Sequence, residues 1–495
     1  MVTNTHSRMN TVTEQKWLPR TAILGGLVVL AAALRVYRLT YWSFDGDEMN
    51  TLRDSLAPPD ILNPKPLLFL LNHYLIAPWL PLDELGLRAI PVLFGIAAVP
   101  AVFLMYRLVV DERAALFAAV LLALSPWHIY WSQFARYYAL VFFFSALFPF
   151  MLYKGVLDRR SGLIMAGLAL AMCAILAHPT SGLVLLAFGL WLLLRRRHNL
   201  RAVKRAIAAR PALSIVALLV MMGIGYRLSD LFVDWYTLRQ DRWGYQGPIL
   251  LLSYLGWLVP VIAVFGVAGI SWLWRDGDRS LAKLLTAMLL APILLLAALT
   301  YVVPISTAYL YATTPAIFLG AGYFLARLMW LGPTVLRMPL AAVSCLGAAI
   351  VADLPPLASH YQDGMRRDFR AAAQHLDRVA NPSHPIVSDQ PRVLQYYLKR
   401  PVLMLSRDPE VFLEQVDTVM PTPDRRLWLV VEVKSRGGFS EQGLGPLSSW
   451  VAANCRLSVS FARPRLDYKD NELRVYRCHV PAGHDLIGGS RPPRP

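Results

Sequence analysis

Residues 195–210 read RRRHNLRAVKRAIAAR, with seven Lys or Arg and no acid, between the apolar runs LVLLAFGLWLLL (183–194) and PALSIVALLVMM (211–222). A basic stretch by itself could bind nucleic acid. Set between two runs able to enter a bilayer, it reads as a loop between membrane spans. The composition agrees. Apolar and aromatic residues make up 56% of the 495 and charged residues 16%, where a soluble domain carries about 25% charged. Mean hydropathy is +0.44. The net charge of +17 therefore belongs to membrane loops, and nucleic acid is excluded as a partner. Four Cys exclude a disulfide-built scaffold or a Cys-rich zinc module. The chain reads as a polytopic α-helical membrane protein.

Runs of about 20 apolar residues cross a bilayer core of about 30 Å. They fall near 20–39, 86–106, 114–131, 137–153, 161–177, 180–194, 211–228, 248–273, 283–302, 308–327 and 337–353, eleven in all. The first has no small-residue cleavage site after it and reads as an anchor rather than a removed leader. The run 66–80 (PLLFLLNHYLIAPWL) is too short to span and suits a helix lying on the outer face. Charge supports that reading. With the N-terminus inside, the inner loops hold 17 Lys or Arg and the outer segments 6, as the positive-inside bias requires. A full span at 66–80 would reverse this. Arg35 and Arg38 lie at the outer end of the first span, where each is expected to snorkel.

Beyond residue 353 the character changes. Residues 354–495 hold 20 Lys or Arg and 15 Asp or Glu, an ordinary soluble mixture. DFRAAAQHLDRV reads as an amphipathic helix, and PIVSD and RLWLVVEV as strands. The expected organisation is a membrane domain over 1–353 whose outer loop 40–85 carries acidic residues, an extracytoplasmic α/β domain over 354–483, and a flexible tail over 484–495.

The first outer loop, YWSFDGDEMNTLRD, places Asp45, Asp47 and Glu48 within four residues directly after a span. Such a group can serve as general base or metal ligand at the membrane surface. It can equally be a solvated acidic loop, and the flanking Tyr41, Trp42 and Phe44, as interfacial anchors, favour the site. Lys65, between Pro64 and Pro66 at the start of the short outer helix, could meet a phosphate or anchor the helix. In SPWHIYWSQFARYYAL (125–140) the residues His128, Gln133, Arg136, Tyr137 and Tyr138 crowd a short outer turn. Arg136 is its one cation, and polar residues at such depth tend to face a cavity. His178 in AHPTSG falls on the same face, as a site residue or a helix-end residue. No Walker A loop, HExxH, CxxC or dinucleotide fingerprint occurs.

In this order, the motifs over residues 35–182 resemble the bacterial GT-C membrane glycosyltransferases, the group of the protein O-mannosyltransferases and the lipid A aminoarabinose transferase. FDGDEMN is similar to the family's W-x-D-E-A motif at Asp47 and Glu48. Lys65-Pro66-Leu67 is similar to its Lys/His-Pro-Pro-Leu stretch, and ELGLRAIPVLFG with Arg88 to its E-x-x-L-R-L-P helix. SPWHIYWSQFARYYAL is similar to S-P-x-x-x-x-Y-S-Q-E-A-R-x-Y-A-L, with Phe134 where the family carries Glu. A family Arg before the late Y-L-x-P helix has no counterpart in STAYLYATTP.

The resemblance implies a GT-C fold of about 11–13 transmembrane helices in the bacterial inner membrane, with catalysis and the C-terminal domain on the periplasmic face. It implies an inverting transfer of a sugar from a polyprenyl-phosphate donor to a lipid, glycan or protein hydroxyl. Asp47 would be the base, with Glu48 beside it, and Lys65, Arg136 and Arg88 would meet the donor phosphate. Asp45, Tyr137, Tyr138, His128 and His178 are further site candidates. No nucleotide cofactor is implied; Asp47 and Glu48 could share a divalent cation, Mg2+ or Mn2+. Membrane lipid is the remaining partner. The alternatives are a flippase for a lipid-linked sugar and an inactive partner of the same fold. Finally, CRLSVSFA and ELRVYRC read as two antiparallel strands whose register sets Cys455 opposite Cys478, either as a disulfide or as two free buried thiols.

Overall fold

Chain direction and helix breaks are set by a few caps and prolines. The computed structural model describes residues 20–60, 63–195, 260–301, 305, 307–329, 337–364, 366–406, 408–420, 425–434, 447–463 and 471–481. The expected span 211–228, the start of the one at 248–273, the basic loop beyond residue 195 and the tail 484–495 lie outside them.

Helix α1 is Arg20–Val36, α2 Gly46–Leu56, and α3 Leu67–Leu71, which continues as a π-turn over Asn72–Ile76. The run 66–80 thus forms a short helix, as its length requires. Helix α4 (Glu84–Tyr106) starts on Asp83, whose carboxylate accepts from the Leu85 and Gly86 amides, and α5 (Glu112–Leu124) is capped in the same way by Asp111. The expected span 114–131 is broken. Pro126 bars its predecessor from the helical region, Ser125 turns out at ψ 116°, and α6 (Pro126–Ser132) leaves α5 at 61°.

Helices α7 (Tyr138–Ser145), α8 (Phe148–Leu157), α9 (Ser161–Ala177) and α10 (Gly182–Arg195) follow. After them come α11 (Pro260–Arg275), α12 (Arg279–Leu299) and α13 (Thr314–Leu328), the last preceded by a 3-10 turn over Thr307–Thr313. Among the described residues four helices are long and apolar enough to span, five if the bent α5–α6 pair counts as one. Helices α11 and α13 meet backbone to backbone: a Cβ on Gly269 would lie 1.8 Å from the Gly320 carbonyl oxygen. Only glycine permits that approach.

Helix α14 (Arg337–Asp363) runs ten residues past the expected boundary at 353, through Pro355 and Pro356. A proline pair reads as a stop in sequence, yet here the helix carries on to Gly364 (φ 68°).

The α/β domain beyond it contains α15 (Phe369–Val379), α16 (Pro391–Leu398), α17 (Pro409–Val419) and α18 (Leu447–Asn454). Its strands are β1 (Ile386–Ser388), β2 (Leu403–Met404), β3 (Arg426–Lys434), β4 (Cys455–Arg463) and β5 (Asn471–His479), in the order β2-β1-β3-β5-β4. β1 is parallel to β2 and β3, while β5 is antiparallel to β3 and β4. Central β3 is buried on both faces, which explains its unbroken apolar run. Leu427, Leu429 and Val431 face Phe412 and Trp450. Trp428 and Val430 share a core with Phe369 and Leu376, and also with Phe44, Met49, Leu52 and Leu87 of the membrane part. The α/β domain therefore sits on α2.

Register pairs Cys455 with Cys478, and a disulfide joins them. Cys173 and Cys345 are free. Closing 23 residues of separation limits the unfolded chain, so Cys478→Ser should cost about 3 kcal/mol. The check is a lower melting temperature for the variant and for reduced wild type; equal melting would show that the bond carries no stability.

Candidate active site

Asp45 is the N-cap of α2, and Glu48 returns the bond by accepting from the Asp45 amide at 3.1 Å. This capping box points the two neighbouring acids, Asp47 and Glu48, in different directions.

Glu48 is fully buried. Arg88 Nε lies 2.9 Å from its Oε1 and Nη2 2.9 Å from its Oε2. The Ala135 amide donates to Oε1 at 2.8 Å, and Arg366 Nη1 lies 3.4 Å from Oε2. Burial acts to raise the Glu48 pKa, but Arg88 and then Arg366 outweigh it and hold the carboxyl below its usual range. The remaining Arg88 donors go to the carbonyls of Leu39, Trp42 and Ser43. Arg88 is itself fully buried. This corrects two sequence expectations. Glu48 has its acceptor sites taken and no access to substrate, and Arg88 has its donors taken and cannot meet a phosphate. Together they pin the first loop to α4.

Asp45 is likewise corrected to a structural role: besides capping α2 it pairs with Arg367 at 3.3 Å. Glu48 is not placed to share a divalent cation with Asp47: its carboxylate neutralises Arg88, while that of Asp47 turns to Arg136. Among the described residues no group of three or more His, Cys, Asp or Glu could hold one.

Asp47 differs. Its side chain is 58% exposed, with Oδ1 3.8 Å from Arg136 Nη2. Arg136 is nearly buried, and its Nη1 donates to the Asp47 carbonyl at 3.3 Å and to Thr51 Oγ1 at 3.4 Å. The Tyr137 ring gathers the other groups. Lys65 Nζ lies 5.0 Å and Arg136 Cζ 4.9 Å from its centroid, within cation–π range. His178 stacks on it at 4.4 Å. His178 Nδ1 accepts from the Thr180 amide, and burial, with Lys65 and Arg136 nearby, drives its pKa well below the usual value. The ring is neutral. Tyr138 packs beside Tyr137 at 4.7 Å. The structure thus brings together Asp47, Lys65, Arg136, Tyr137, Tyr138 and His178, and adds Tyr309, whose ring lies 5.1 Å from His178. Sequence reasoning missed Tyr309, because STAYLYATTP offers no charge to mark it.

Three other expectations are corrected. His128 is buried in the helix core, where its Nδ1 lies 2.8 Å from Arg35 Nη2. Arg35 does not snorkel: it is fully buried and donates to the Leu122 and Ala123 carbonyls. Those carbonyls are left open where α5 stops at Pro126. Arg38 is exposed and donates to the Tyr361 carbonyl. Trp42 and Phe44 are buried under the α/β domain rather than anchored at a lipid interface, and only Tyr41 is exposed. Phe134 receives the Arg366 guanidinium over its ring at 4.6 Å; this cation would otherwise suit a carboxylate at that position.

The backbone course relates the chain to proteins of known structure. ArnT from Cupriavidus metallidurans in the apo state is similar to it with a TM-score of 0.57 at 16% identity, over 92% of this chain and 98% of that one. The GT-C fold is thereby established. ArnT bound to undecaprenyl phosphate is similar at a TM-score of 0.51 and 16% identity, with the same coverage. The apo oligosaccharyltransferase of Archaeoglobus fulgidus is similar at 0.52 and 13%, over 84% of this chain and 70% of that one. Residues 70–222 match the family described as dolichyl-phosphate-mannose-protein mannosyltransferase. No curated protein matches the chain in sequence. In this GT-C chain the acid and cation cluster lies on the segments that join the membrane helices, and the α/β domain packs on the loop that bears the acid.

Proposed function

We propose that the protein is an inverting glycosyltransferase that moves a sugar from a polyprenyl-phosphate carrier to an acceptor hydroxyl at the outer face of the bacterial inner membrane. The observation that carries this reading is the open carboxylate of Asp47 beside Arg136, with Lys65 over the same Tyr137 ring. The acceptor oxygen attacks the anomeric carbon as the carbon–oxygen bond to the phosphate breaks. Asp47 takes the hydroxyl proton. The departing polyprenyl phosphate gains negative charge, which Lys65 and Arg136 stabilise. No nucleotide is consumed, since the donor already lies in the membrane. Undecaprenyl phosphate bound to ArnT of the same fold supports the choice of carrier. The acceptor is a lipid, glycan or protein hydroxyl, and the α/β domain stands on the same outer face.

The test concerns the phosphate. Lys65→Ala and Arg136→Ala should each weaken donor use, with kcat/KM down about 10²-fold, the scale for losing one charge-stabilising donor. Donor binding and rate measured with a labelled polyprenyl-phosphate sugar check it. Unchanged values in both variants would place the phosphate elsewhere.

A further inference from the structure

We propose that the α/β domain is a positioning part of the active site, gripping the start of α2 and so fixing the carboxylate of Asp47. The inference rests on Asp47 being the acid that accepts the hydroxyl proton.

The stretch 43–50 is held from two sides. On the membrane side Arg88 and the Ala135 amide hold it through Glu48. On the other side the contacts come from beyond the last span. Ser43 Oγ donates to the Arg367 carbonyl at 2.7 Å. Arg367 Nη1 lies 3.3 Å from Asp45 Oδ2 and 2.9 Å from Glu432 Oε1, so a single guanidinium ties the N-cap of α2 to central strand β3. Asp389, just past β1, accepts from the Glu432 amide at 3.0 Å and steadies that end of the tie.

The Phe44 amide donates to the Tyr397 hydroxyl at 2.7 Å, and that hydroxyl donates to Glu84 Oε1 at 2.7 Å. Gly46 sits so close to Gln390 that a Cβ there would lie 2.4 Å from its Oε1. Asn50 accepts from Arg392 at 3.2 Å. The residues of this stretch that are held, from Ser43 to Asn50, all lie within four positions of Asp47.

The acid needs this grip. Its own ion pair is long, at 3.8 Å, and open to solvent, and such a pair does little to hold a side chain in one place. The position of the carboxylate is therefore set by the backbone beneath it, and displacement of a reacting group by about 1 Å can cost about 10²-fold in rate.

Two substitutions loosen the grip without touching the reacting groups: Tyr397→Phe, which keeps the ring and loses the hydroxyl, and Glu432→Gln, which removes the charge facing Arg367. Each should lower kcat about tenfold with donor KM unchanged. Amide exchange over 43–56 should quicken while exchange over β3 and β5 stays slow. Glu432→Asp, which keeps the charge, should restore part of the lost kcat. Wild-type kcat together with wild-type exchange over 43–56 in both variants would overturn the proposal. So would equal quickening over the whole α/β domain in Tyr397→Phe, since that is general destabilisation. Asp47→Asn separates this proposal from the reading it rests on: it should stop transfer with exchange over 43–56 unchanged. Should the wild type transfer no sugar, the exchange data alone still decide whether the grip exists.

Discussion

Asp47→Asn is expected to abolish sugar transfer and leave the fold intact. The substitution keeps the shape of the side chain and removes the proton acceptor, a loss on the order of 10²–10⁴ in rate for a positioned base. The structural effect is small for a stated reason. The side chain is 58% exposed and its distance to Arg136 is 3.8 Å, so the pair is worth at most about 1 kcal/mol. Arg136 keeps its bonds to the Asp47 carbonyl and to Thr51 in the variant. Transfer from a labelled donor and a melting curve check both halves. Near wild-type turnover would remove Asp47 from its role as base.

The largest stability effect falls on the neighbouring residue. Glu48→Ala should cost about 3–5 kcal/mol, the range for removing one partner of a buried ion pair, because it strands both Arg88 and Arg366 without a countercharge. Acid should act in the same direction. The Glu48 carboxyl is held below its usual range in the folded protein. Its contribution is therefore complete above the unfolded-state pKa of about 4.3 and is lost as pH falls through the lower folded value. Denaturation midpoints in detergent at neutral and acid pH measure this. A Glu48→Ala protein as stable as wild type would contradict the pinning role. Two adjacent acids thus give opposite phenotypes: loss of Asp47 removes activity, and loss of Glu48 lowers stability.

That contrast shows where the sequence was readable. Features set by local pattern could be read directly. The short helix after Lys65 follows from run length, the β4–β5 hairpin from alternation, and the buried β3 from its unbroken apolar run. Asp47, Lys65 and Arg136 stood out as charges at span ends. Features set by distant partners could not be read. Glu48 is indistinguishable from Asp47 until Arg88, 40 residues on, and Arg366, 318 residues on, close around it. Arg35 looked like a snorkelling cation because its partners are carbonyls opened by the break at Pro126, and carbonyls leave no mark in a sequence.

One signal could have helped. Arg366, Arg367 and Arg370 crowd within five residues directly after α14, and cations so clustered call for partners. They find Glu48, Asp45, Glu432 and Glu84. The acidic loop and these arginines are two halves of one joint.

Transfer is read most directly by following the sugar itself. Purified protein in lipid vesicles is given a polyprenyl-phosphate sugar labelled in the sugar, together with a membrane extract as acceptor. The products are then separated and the anomeric configuration is read by NMR. Label is expected on the acceptor with the anomeric centre inverted, and free polyprenyl phosphate in equal amount. Label that stays on the carrier, whether held in place or moved intact across the bilayer, would contradict transfer.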